Sequence, residues 1–172
     1  MNTPIAKQTM PIVAYVVKRY PVYSQTFIVN EILAHEAAGM QTRIFALHPP
    51  NDAHFQDSIA RVRAPVTYLQ ASSSSSVKAS ELWSKLRELG AAASHIWPVL
   101  EKFSIEDSPH RGEGVGETYG WPDARKFSIE DSGDVYRAVL LALEVKRRGI
   151  QHLHAHFATS ASTVTRMAAQ FA

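Results

Sequence analysis

Residues 11–17 read Pro11-Ile-Val-Ala-Tyr-Val-Val17, and residues 42–47 read Thr42-Arg-Ile-Phe-Ala-Leu47. The first run is β-branched and almost unbroken in its apolar character, the pattern of a strand buried on both faces. The second reads as another strand. Between them come a loop over residues 18–25, with Pro21 inside it, and then Ile28, Ile32 and Leu33 at helical spacing. Ser24 and Thr26 are N-cap candidates for that helix, and Gly39 falls where a left-handed residue ends one. Strand, helix and strand in close succession form a βαβ unit, which requires a parallel pair and a right-handed crossover. The expected fold class is therefore α/β, a Rossmann-like parallel sheet with flanking helices.

Outward from this unit, residues 66–69 read as a third strand. Leu82, Leu86 and Leu89 fit one helical stripe closed by Gly90. A further helix spans residues 135–148, with Val135, Val139, Leu140 and Leu143 inward and a cationic last turn, Lys146-Arg147-Arg148, before Gly149. Residues 150–155 read as a short strand, and after His156 a helix carries Val164, Met167, Ala168 and Phe171 on one face. Five serines at 72–76 have the composition of a solvated linker. Lys102-Phe-Ser-Ile-Glu-Asp-Ser108 recurs letter for letter as Lys126-Phe-Ser-Ile-Glu-Asp-Ser132, which marks a duplicated segment inserted over about residues 102–132. The glycine-rich spacer between the copies, residues 112–120, follows no strand and precedes Trp121-Pro122, so a mobile surface insertion is expected rather than a phosphate loop.

Composition narrows the function classes. The 172 residues suffice for one domain, and 45% hydrophobic with 20% charged residues is an ordinary globular mix. Lys and Arg number 18 against 16 Asp and Glu, a net charge of +2 that gives no basis for nucleic-acid binding. The absence of cysteine excludes disulfides, thiolate zinc sites and thiol catalysis. The early apolar stretch, residues 10–17, runs into Lys18 and Arg19; a spanning helix needs about 20 residues. It also lacks a signal-peptide cleavage pattern, so a cytoplasmic protein is expected.

Ligands of open parallel sheets bind beyond the carboxyl ends of the strands, which directs attention to residues 18–26 and 154–160. Arg19 could contact a phosphate, and backbone N–H groups near Ser24, Gln25 and Thr26 would lie at a positive helix end. For Ser24 and Thr26 plain capping is the expected role. His152, His154 and His156 alternate, so an extended strand presents all three on one face. Three imidazoles could hold zinc. However, ligands so close on one strand seldom all reach one ion, and no carboxylate flanks them. The expectation is no metal and a structural role for His152 and His154. His156, at the strand end, falls in the ligand crevice, where it could hydrogen-bond a sugar hydroxyl or balance a phosphate.

At these two loops the chain resembles a known family. Pro21-Val-Tyr-Ser-Gln-Thr-Phe-Ile28, followed by Asn30-Glu31-Ile32 and Gly39, resembles the P-x-x-S-E-T-F-I…E opening of family 4 glycosyltransferases, with Gln25 in place of the usual Glu. His152-Leu-His-Ala-His-Phe-Ala158 resembles their H-x-H-A-H-F-A segment. The nearest subset is that of bacterial exopolysaccharide and colanic-acid biosynthesis, and the likeness covers about residues 11–70 and 133–172.

The resemblance implies an N-terminal, acceptor-side domain of the GT-B fold in a retaining enzyme that needs no metal or other cofactor. Its partners would be a nucleotide-sugar donor, held by a C-terminal domain, and a glycan or lipid-linked acceptor, with peripheral contact to the inner face of the membrane. His156 is then the catalytic candidate, touching the donor sugar. Arg19, Ser24, Gln25, Thr26 and His154 are substrate-binding candidates near the acceptor or the donor diphosphate. The family's donor domain carries two glutamates eight positions apart, a pair this chain lacks, and the chain ends one helix after His156. An incomplete acceptor domain, inactive in transfer on its own, is therefore expected. The alternative is a non-catalytic α/β binding module with a phosphate or sugar crevice.

Overall fold

A computed structural model of the chain describes residues 11–70, 77–90, 96, 98 and 132–172. The serine run at 72–76 and the duplicated segment at 102–132 (apart from Ser132, which opens a helix), with the mobility expected of its spacer, lie outside the described residues.

In chain order the elements are β1 (Ile12–Arg19), α1 (Thr26–Ala37), β2 (Gln41–His48), a 3-10 turn (Asp57–Arg61), β3 (Val66–Tyr68), α2 (Ala79–Leu89), α3 (Ser132–Arg148), β4 (His152–Ala155) and α4 (Ser160–Phe171). The four strands form one sheet in the order β3-β2-β1-β4, and every pairing is parallel. β1 is the central ladder, with Tyr15 opposite Ile44 of β2 on one side and His154 of β4 on the other. This is a Rossmann-like α/β fold.

Side-chain alternation on the strands divides the core in two. Ala14 and Val16 of β1, with Phe45 and Leu47 of β2, face α2, α3 and α4. Val13, Tyr15 and Val17, with Ile44 and Ala46, face Ile28, Val29 and Ile32 of α1. Residues 13–17 are all buried, which explains why β1 reads as an unbroken apolar run rather than an alternating one. The stripe expected after His156 is equally plain: Val164, Met167, Ala168 and Phe171 are fully buried. α1 ends as expected at Gly39. With φ +82° it lets Met40 N–H reach His35 C=O and Gly39 N–H reach Glu36 C=O, so two carbonyls of the last turn gain partners.

The order of the strands positions the site. From β1 the chain moves through α1 to β2 and β3 on one side, and β4 is then added on the opposite side of β1, after α3. α1 lies on one face of the sheet and α3 on the other. The connections leaving the carboxyl ends of β1 and β4 therefore diverge, and the β1–β4 boundary is the switch point where open α/β sheets form their ligand crevice.

Candidate functional site

β4 is only four residues long, and its two faces have different neighbours. Leu153 and Ala155 pack against the core that contains α3 and α4. His152 and His154, with His156 just past the strand, point to the α1 face, where α1 leaves room for polar groups. Glu31 and His35, one helical turn apart on α1, meet them there, and Tyr15 of β1 lies between the two elements.

The contacts are close. The Tyr15 hydroxyl donates to Glu31 Oε1 at 3.0 Å and lies 2.6 Å from His35 Nδ1. With that proton committed to the carboxylate, His35 must hold its own proton on Nδ1 to complete the second bond. Glu31 Oε1 lies 3.3 Å from His154 Nε2, and Oε2 lies 3.1 Å from His156 Nε2. The two Nε2 atoms are 3.2 Å apart. The His156 ring stacks on Tyr15 at 15° between planes, and Phe27 meets it edge-on at 5.5 Å between centroids. Phe27 also meets Phe157 edge-on at 5.6 Å, although both phenyl rings are largely exposed. An apolar rim therefore borders a polar cluster.

Electrostatics follow from the partial burial. Burial, reinforced by the bond to Glu31, raises the Tyr15 phenol above the ordinary tyrosine range and keeps it a donor. Burial lowers the pKa of His154. Glu31 opposes that shift, while His156, His152 and His35 add to it. Neutral His154 thus keeps a lone pair for a proton, a hydroxyl or a metal ion. Just beyond His156, Phe157 has φ +67°, a left-handed conformation that costs a non-glycine residue roughly 1–2 kcal/mol. The Ser162 hydroxyl donates to the Phe157 carbonyl, and Thr159 caps α4 by accepting from Ala161 N–H. Both bonds hold the strained turn that presents His156.

The residues singled out from the sequence divide into three groups. His154 and His156 are brought together. Ser24, Gln25 and Thr26 stand at the start of α1, next to Phe27, which touches His156. Capping there is a correction: the N-cap position falls on Gln25, which makes no side-chain capping bond, and neither Ser24 nor Thr26 takes that place. Gln25 Oε1 is instead buried without a hydrogen-bond partner among the described residues. Arg19 lies in β1 rather than in a loop. Its Nη1 donates to Pro49 C=O at 2.9 Å and Asn51 Oδ1 at 2.8 Å, on the β2 side and away from His156.

A second correction concerns the carboxylate. None flanks the histidines in sequence, yet Glu31 of α1 supplies one in space. With Tyr15 and His35 it was missed, because its only sequence signal was a place in the first motif. Glu31, His154 and His156 each offer one ligand atom within 4.8 Å of the others.

Comparisons of this chain with models of known protein families, with curated proteins and with solved structures find no match. The class defined here is accordingly that of the fold, a Rossmann-like parallel α/β domain with its polar cluster at the switch point. No helix among the described residues is long and apolar enough to cross a membrane.

Proposed function

We propose that this chain is the N-terminal, acceptor-side domain of a retaining GT-B glycosyltransferase of bacterial exopolysaccharide biosynthesis. In this reading it transfers sugar from a nucleotide-sugar donor, held by a donor domain, to a glycan or lipid-linked acceptor. The observation that carries the reading is the adjacency of the two motif segments. They lie far apart in sequence, yet they leave the carboxyl ends of neighbouring parallel strands, and Phe27 of the first touches His156 of the second. His156 and His154 face the donor sugar, while Ser24, Gln25 and Thr26 border the acceptor. Arg19 has already committed one terminal nitrogen to Pro49 and Asn51, and its remaining N–H groups serve a diphosphate. The protein works in the cytoplasm, against the inner face of the membrane when its acceptor is lipid-linked.

Saturation-transfer NMR tests the reading, using a uridine or guanosine diphosphate sugar and a short-chain polyprenyl-diphosphate sugar. The expected result is transfer to at least one sugar ring in the wild-type chain, abolished by His156→Ala. Absence of transfer to any of these ligands would contradict the proposal. Sugar binding that never leads to transfer when a donor domain is supplied would favour the non-catalytic module instead.

A further inference from the structure

We infer that Glu31, His154 and His156 form a binding site for a divalent transition-metal ion of the zinc class. The argument rests on the spacing of four atoms from these three residues, all of which can offer lone pairs. His154 Nε2 and His156 Nε2 are 3.2 Å apart, and the Glu31 oxygens lie 3.3 and 3.1 Å from them. Zinc holds imidazole nitrogen at about 2.0–2.1 Å and carboxylate oxygen at about 2.0–2.2 Å in tetrahedral array, which puts neighbouring ligand atoms about 3.3–3.4 Å apart. The three residues thus form a triangle of donors, and the separation between the nitrogens and that of each nitrogen from its own Glu31 oxygen are close to those between tetrahedral ligands.

Protons and a metal ion compete for this triangle. If both Nε2 atoms carry hydrogen, each N–H donates to its own Glu31 oxygen. If only one does, a nitrogen lone pair faces a carboxylate oxygen. One cation at the centre makes all three approaches attractive. The donor set of two imidazoles and one carboxylate suits zinc-class ions and does not suit magnesium or calcium, which prefer oxygen.

The surrounding residues meet the demands of such a site. The Tyr15 hydroxyl holds Glu31 Oε1, an outer partner that fixes the carboxylate. Phe27 and Tyr15 contact the His156 ring from two directions. The side chains remain 36% (His154), 17% (His156) and 32% (Glu31) exposed, so an ion can enter and keep a water or a substrate oxygen as fourth ligand. His152, whose ring lies 6.1 Å from that of His154, is not part of the triangle. The inference does not rest on sugar transfer, and its test contains no sugar.

The 172-residue chain is stripped with chelator and titrated with Zn2+ alone in a calorimeter, with Mg2+ as control. The expected result is one Zn2+ per chain, no Mg2+ uptake, at least tenfold weaker zinc binding in Glu31→Gln and His156→Gln, and binding within twofold of wild type in His152→Gln. A second readout guards against variants that fail to fold. In wild-type chain with 15N-labelled histidine, Zn2+ should shift the Nε2 signals of His154 and His156 and leave that of His152 in place. Failure to retain zinc would overturn the inference, as would binding unaffected by Glu31→Gln or a histidine shift confined to other residues.

Discussion

Two glutamates five positions apart on α1 have opposite duties, and burial tells them apart. Glu36 is almost fully buried and accepts from Arg63 N–H at 3.0 Å, Ala64 N–H at 2.7 Å and the Thr42 hydroxyl at 3.2 Å. Removing it strands three donors, so Glu36→Ala should cost about 3 kcal/mol in denaturant unfolding. A loss under about 1 kcal/mol would contradict that role. Glu31 is half-open and faces the histidines. His156→Ala in the same cluster should cost little, because a crevice residue holds up no core; a loss above about 2 kcal/mol would mark it as structural. His154 adds a pH dependence. Its pKa is lowered in the folded state, mainly by burial, so the unfolded chain binds that proton more readily. The contribution is fully present above about pH 6.5 and is lost as the pH falls through the lowered value. The unfolding midpoint should drop on acidification through this range, and His154→Gln should flatten that portion of the curve.

At the scale of elements, α2 is joined to α3 by leucines, by the ion pair of Glu88 with Arg147 and by a tyrosine hydroxyl. Tyr136 donates to Glu81 Oε1 at 2.7 Å, and burial together with that bond pushes the phenol up to about 12. Tyr136→Phe should therefore cost about 1 kcal/mol, measured by thermal or denaturant unfolding. No change would show that the bond contributes nothing net. Elements such as β1, α1 and α4 were legible in the sequence because packing on one or both faces imposes a periodicity that their apolar residues repeat. The run from Val13 to Val17 is one such case, and the stripe from Val164 to Phe171 is another. Capping was not legible: Ser24 and Thr26 have the right chemistry, but the N-cap falls between them, on Gln25. β1 also runs two residues past Val17, because Arg19 still pairs with His48 across the ladder. Strand ends of this kind depend on a neighbouring chain segment, which no local pattern records.

At the scale of the whole molecule, the candidate site was half legible. The period of two in His152, His154 and His156 gave the shared face, and the strand-end rule gave the crevice. Glu31, His35 and Tyr15 could not be read from spacing, since they converge only once α1 and β1 are folded beside β4. The departure of Arg19 toward Asn51 is likewise a consequence of tertiary packing. The account depends on one hollow, bounded by the start of α1 on one side and the end of β4 on the other. Residue-resolved amide NMR with a water-soluble polyprenyl-diphosphate sugar tests this most directly. The account predicts saturable shifts in residues 24–27 and 154–159 together, with one apparent affinity. Shifts confined to one of those segments, or clustered at the opposite, amino-terminal ends of the strands around Thr42 and Pro65, would contradict it.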